Sequence, residues 1–240
     1  MFAIISHDAG GAEILSSYVD QNDIACIYVL DGPAIKIFKK KLGEIEIICL
    51  EEAIQKATSI LCSTSWQSDI EFNAIKMACS MGKRSIAFLD HWVNYSERFT
   101  RSGEICLPDE IWVGDVMAEN IARQLFPNTK VSLIDIPYIN HIRKELAVVN
   151  FKRIHTSDSI NVLYICEPVS EHGLYSFGNE RQWGYTEEDA LRHFLVNIKA
   201  LGLAINRVLI RPHPSETEGK YNWVQQEFNL SISIKIIQNF

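Results

Sequence analysis

The chain has 240 residues, 47% of them apolar and 22% charged, which is ordinary for a globular protein and enough for one large domain or two small ones. A net charge of -7 argues against a general affinity for nucleic acid or anionic membrane, though a local basic pocket for a nucleotide remains compatible with it. No apolar run approaches the ~18 residues of a membrane span, and Met1-Phe-Ala-Ile-Ile-Ser6 lacks the basic start of a signal peptide.

Phe2–Ser6 reads as a first buried strand, followed by the loop His7-Asp8-Ala9-Gly10-Gly11 and a helix opening at Ala12–Val19. Gly10 and Gly11 let a ligand or another backbone approach closely, and the helix N-terminus favours an anion. The pattern is not GxGxxG, so packing and ligand binding both stay open for the glycines; His7 and Asp8 at a strand end favour function. Ile24–Leu30 is a second strand, ended by Asp31-Gly32-Pro33 before a helix over Ala34–Leu42. Ile45–Leu50 reads as a third strand, Glu51–Ala57 as a short helix and Ser59–Cys62 as a fourth strand. The hydroxyl-rich run Ser63–Ser68, of a kind that can bind a sugar or phosphate, precedes a helix over Asp69–Met81, with Ser68 or Asp69 suited to cap it.

Ser85–Leu89 is a fifth strand. It delivers Asp90-His91-Trp92-Val93-Asn94-Tyr95, a polar and aromatic loop of the kind that binds sugars or nucleotides, with Trp92 and Tyr95 as stacking rings. Asp90 and His91 suit a general base and its orienter. Glu110–Val113, the helix Val116–Leu125, the strand Val131–Ile134 and the helix Ile139–Leu146 complete this half. Strand and helix alternate six or seven times, which predicts an α/β fold with a mostly parallel sheet.

The polar stretch 150–159 reads as a linker between a domain at 1–149 and a second, smaller unit at 160–240. There Ile160–Ile165 is a strand, Cys166 to Tyr185 a long loop, Glu187–Leu201 a helix capped at Thr186, and Val208–Ile210 a strand that leads into Arg211-Pro212-His213-Pro214-Ser215-Glu216. Prolines cannot donate to a ladder, so the chain leaves the sheet there, with a cation and an imidazole suited to a phosphate at a carboxyl-terminal strand end. Tyr221–Phe228 reads as a short helix and Ser231–Ile237 as a last strand. With about three strands and two helices this unit is below comfortable stability for a lone domain, so it is expected either to pack on the first or to belong to a longer protein. The six cysteines form no CxxC pair and read as small buried hydrophobes in a reducing, cytoplasmic compartment.

Two Rossmann-like units in this order resemble the two-domain GT-B glycosyltransferases and the related UDP-N-acetylglucosamine 2-epimerases. Arg211-Pro212-His213-Pro214 is similar to the His-Pro motif of bacterial sialyltransferases, capsule polymerases and CDP-glycerol glycerophosphotransferases. The resemblance implies a glycosyltransferase of surface polysaccharide synthesis that takes a sugar from a nucleotide-activated donor to a glycan acceptor. The alternatives are a nucleotide-sugar epimerase or hydrolase, or a truncated glycan- or partner-binding protein without activity. It further implies a donor held in the interdomain cleft by Gly10, Gly11, Glu167, Ser170, Arg211, His213, Ser215 and Glu216. Proton transfer would fall to Asp8, Asp90 and His91. No cofactor beyond the donor is implied, nor a metal, since no DxD-like motif stands at a strand end; a homo-oligomer is compatible with it. In those families further strand–helix units follow the His-Pro strand, including a Ser/Thr-rich helix start that grips the donor phosphates.

Overall fold

In the computed structural model, described for residues 1–65, 68–148, 159–213, 216–228 and 233–236, the chain divides into two compact units, Met1–Phe151 and Lys152–Phe240. The first carries β1 (Phe2–Ser6), α1 (Ala9–Asn22), β2 (Cys26–Leu30), α2 (Pro33–Leu42), α3 (Leu50–Lys56), β3 (Ser59–Cys62), α4 (Ile70–Ser80), β4 (Arg84–Leu89), α5 (Tyr95–Arg98), the hairpin β5 (Thr100–Arg101) and β6 (Glu104–Ile105), β7 (Glu110–Val113), α6 (Val116–Leu125), β8 (Lys130–Leu133) and α7 (Pro137–Val148). Six strands make one sheet in the order β2-β1-β3-β4-β7-β8, every neighbouring pair parallel.

Alternation along β1 explains the layering. Ala3 and Ile5 face a core built with Ala53 and Ile54 of α3, Ala74 and Ile75 of α4 and Ala118 and Ala122 of α6. Ile4 faces the opposite core, with Leu15 of α1 and Phe38 of α2. Both faces of the sheet are thus covered by helices. After β1 the chain turns to β2 on one side, then crosses to β3 on the other. The connections leaving β1 and β3 therefore diverge, which makes this the switch point of the sheet, the place where open α/β sheets form a crevice.

The smaller unit carries β9 (Ser159–Ile165), α8 (Val169–Phe177), α9 (Glu187–Val196), a 3-10 turn (Ile198–Leu201), β10 (Ala204–Arg211), α10 (Trp223–Glu227) and β11 (Ser233–Ile236). Its sheet, β11-β10-β9, is also parallel. Leu191, Leu195, Val208, Ile210, Tyr221 and Val224 form its core. The expected cap of α9 is a full capping box: Thr186 accepts from the Asp189 amide, and the Asp189 carboxylate accepts from the Thr186 amide.

Several sequence expectations differ from what forms. Residues 45–50 do not make a strand. Ile47 forms a single bridge with Tyr28, and Leu50 is drawn into α3, because Glu44 and Glu46 alternate into solvent and leave little apolar face to pair. The long loop after β9 contains α8, which starts behind Pro168 and ends at Gly178 in the left-handed region. β10 is eight residues long, so Arg211 is the last residue of a strand and not part of the loop. The hairpin β5–β6 is absent from the sequence reading. Cys62 and Cys166 are buried as expected, but Cys49 and Cys79 are exposed. The linker expected at 150–159 lies outside the described residues apart from Ser159, which begins β9; residues 231–232 and 237 of the expected last strand also lie outside them.

Candidate functional site

The crevice between β1 and β3 gathers polar side chains that a core would not tolerate unpaired. Ser6 ends β1, and its hydroxyl lies 2.8 Å from that of Ser63, just past β3. Ser63 donates to Glu71 Oε1 at 3.0 Å, and the His7 amide donates to the same oxygen at 2.9 Å. Glu71 sits in the first turn of α4, 3% exposed, and its second oxygen has no partner. Burial pushes its carboxyl up to about 7, against the hydrogen bonds it accepts and with Asp8 nearby adding to the rise.

His7 and Asp8 form a pair at the mouth of this network, Nδ1 to Oδ1 2.6 Å. A carboxylate only accepts, so Nδ1 carries the proton in this contact. Nε2 stands against Gly32, where an added Cβ would lie 2.7 Å away and the backbone φ of +52° already disfavours any side chain. Because Asp8 is committed to His7, it makes no side-chain cap on α1, although it occupies the N-cap position.

Asp90 closes the crevice from the end of β4. Its carboxylate is buried and pairs with Arg98 Nη1 at 3.2 Å. Arg98 in turn donates to the backbone oxygen of Thr64 at 2.9 Å and to its hydroxyl at 2.8 Å, tying the ends of β3 and β4. Burial pushes Asp90 up from its ordinary value, against the pull of Arg98 and His91. His91 Nε2 is 3.7 Å from Asp90, beyond hydrogen-bond range, so the group that orients Asp90 is Arg98 and the hydrogen-bonded histidine–aspartate pair is His7–Asp8.

The glycines fit this arrangement by close approach. A Cβ on Gly10 would sit 2.5 Å from Asp90 Oδ2, and one on Gly11 would overlap the Ser63 side chain. Tyr95 is buried, so it cannot stack on a ligand as expected from the sequence. Trp92 is exposed and donates its indole N–H to Asp115 at 2.8 Å. Ser68 caps α4 by accepting the Ile70 amide, while Asp69 pairs with Arg101; Trp66 and Gln67 of the hydroxyl-rich loop lie outside the described residues.

In the smaller unit the expected donor residues are spread. Arg211 and Glu167 are exposed at the ends of β10 and β9, and His213 is half-buried; Pro214 and Ser215 lie outside the described residues. Glu216 is buried and committed: Oε2 accepts the His213 amide at 2.7 Å, and Oε1 accepts the Tyr221 hydroxyl at 2.6 Å. Ser170 gives both its amide and its hydroxyl to Glu187. Lys220 pairs with Glu187, with Glu216 at 3.0 Å and with Glu171 at 3.4 Å. Beside them opens a pocket of about 750 Å³ whose charged lining includes Glu171, Glu180, Glu188 and Glu218 against Arg181 and Lys220, an unfavourable field for a phosphate.

Glu71 and Arg98 were not singled out from the sequence. A signal for Glu71 existed: residues 71, 74, 75 and 78 share the buried face of α4, and an acid on an apolar stripe needs partners. Arg98 has no comparable signature, since its partners come from β3 and β4.

No family model matches the chain, and no curated protein does. Over its full length the chain is similar in fold to the solved structure of UDP-GlcNAc 2-epimerase from Methanocaldococcus jannaschii, with a TM-score of 0.60, 73% of that chain covered and 12% identity. The fold is α/β with Rossmann-like units of the GT-B-like kind.

Proposed function

We propose that the chain is an enzyme acting on a nucleotide-activated sugar, and that the crevice at the ends of β1, β3 and β4 supplies its proton-transfer groups. The observation that carries this reading is the convergence of the hydrogen-bonded His7–Asp8 pair with the buried carboxyl of Asp90, which burial pushes towards its neutral form, on a frame braced by Glu71. Groups poised this way at a strand-end crevice suit acid–base work. In a transferase, Asp90 or His7 takes the proton of an acceptor hydroxyl as that oxygen bonds to the sugar. The nucleotide leaves with the electron pair of the broken bond. Within the smaller unit, the exposed Arg211 and the half-buried His213 are the proposed contacts for a nucleotide phosphate. The surface-polysaccharide setting and the glycan acceptor belong to this transferase reading.

A second reading is an epimerase of the nucleotide sugar, which the fold shared with a UDP-GlcNAc 2-epimerase favours at least as much. There the same groups serve proton transfer on the sugar itself, and no acceptor is needed.

Product analysis separates the two. The protein is incubated with UDP-, GDP-, CMP- and CDP-sugars, with and without a glycan acceptor. Free nucleotide released only with acceptor marks the transferase; a product of unchanged mass and altered retention without acceptor marks the epimerase. In either case Asp90→Asn is expected to slow turnover by about 100-fold or more. Absence of both products, with no nucleotide binding by calorimetry, would sink the proposal.

A further inference from the structure

We propose that Glu71 is the positioning residue of the crevice: its carboxyl ties the exits of β1 and β3 together and, through the His7 amide, sets where the His7–Asp8 pair stands. The inference rests on reading the crevice as the active site. Its ground is geometric. Glu71 Oε1 accepts at once from the first residue past β1, at the His7 amide, and from the first residue past β3, at the Ser63 hydroxyl. Ser6 braces Ser63 from β1, and Gly11 leaves the room that Ser63 needs. Oε2 is buried without a partner, so the carboxyl is held from one side.

The device responds to ionisation. A carboxylate is a stronger acceptor than a neutral carboxyl, so the His7 amide is gripped more tightly when Glu71 is charged. The titratable groups facing it are Asp8, on the loop after β1, and Cys62, on β3; burial pushes the Cys62 thiol well up. Glu71 therefore changes charge near neutral pH, and the pair attached to its amide tether responds.

The test uses the full chain and requires no substrate. The proton–nitrogen correlation of the His7 amide is followed from about pH 5 to about pH 9. It is expected to move downfield with a midpoint near that of Glu71, about 7, and to lose this movement in Glu71→Gln, which keeps shape and an acceptor oxygen but no charge. Ser63→Ala, which removes one hydrogen bond to the charged form, is expected to raise the midpoint. Where turnover is measured, Glu71→Gln retains the rate seen at low pH and loses one limb of the pH–rate profile, whereas Glu71→Ala falls by about tenfold or more at every pH. An amide that stays flat in the wild type, or that titrates equally in Glu71→Gln, overturns the inference. So does a midpoint left unmoved by Ser63→Ala. If the amide behaves as expected but Glu71→Gln leaves the rate profile untouched, the tether stands, and the assignment of the crevice as the active site is what fails.

Discussion

Glu71 carries opposite consequences for chemistry and for stability. Its folded-state value of about 7 lies above the ordinary 4.5, so the folded protein holds a proton that the unfolded chain has released across that window. Stability therefore falls as pH rises from 4.5 to 7: the cost is absent below the unfolded value and complete above the folded one. It amounts to about 3 kcal/mol at most. Glu71→Gln is expected to raise the melting temperature at about pH 8 and to change it little at about pH 4; an equal change at both would show that the buried charge is not what costs. Gly11→Ala, by contrast, should destabilise at any pH by about 1–3 kcal/mol, because its methyl meets Ser63. Urea unfolding measures it, and a cost below about 0.5 kcal/mol would mean that the β1–α1 turn yields freely.

Among the elements, the clearest dependence is that of α9 on the loop after β10. Burial disfavours the charged Glu187 at the start of α9, but Lys220 and the Ser170 hydroxyl and amide outweigh it and hold the carboxyl at about 2. The stabilisation this gives is complete above the ordinary value of 4.5 and is lost as pH falls to about 2. Lys220 also faces Glu216, whose side chain is fully buried. Lys220→Met removes a cation shared by these carboxylates and is expected to cost about 3–5 kcal/mol, read as lost hydrogen-exchange protection in β10. Retained protection would show that the tie between Glu216 and the His213 amide holds the loop by itself. The same network shows partners for this region that sequence spacing does not reveal. Ser170 and Glu216 look like ligand groups in an unfolded string of polar residues, yet both are committed to neighbouring segments once α8 and the 216–220 turn form.

For the molecule as a whole, all six strands of the larger sheet and both of its cores fall within Met1–Phe151. A fragment of those residues is expected to unfold cooperatively, with coincident transitions by circular dichroism and fluorescence. Non-coincident transitions would show that it depends on the rest of the chain. Among the described residues no helix is long and apolar enough to cross a membrane. The α/β class was legible from the sequence because buried parallel strands are short apolar runs, and helices announce themselves by caps and spacing. β1, β3, β7 and α6 stand where those local rules put them. The positions of His7, Asp8 and Asp90 just past strand ends were legible for a related reason: a strand end is a local feature. What only the tertiary structure decided is which of these groups meet. Crossing from β2 to β3 brings Ser63 and Glu71 against Ser6 and His7, more than fifty residues away in the chain. The fold gives Asp90 to Arg98 in place of His91, buries Tyr95, and commits Glu216 to its own loop. Pairings of this kind depend on register and crossover between distant segments, whereas sequence spacing constrains only near neighbours.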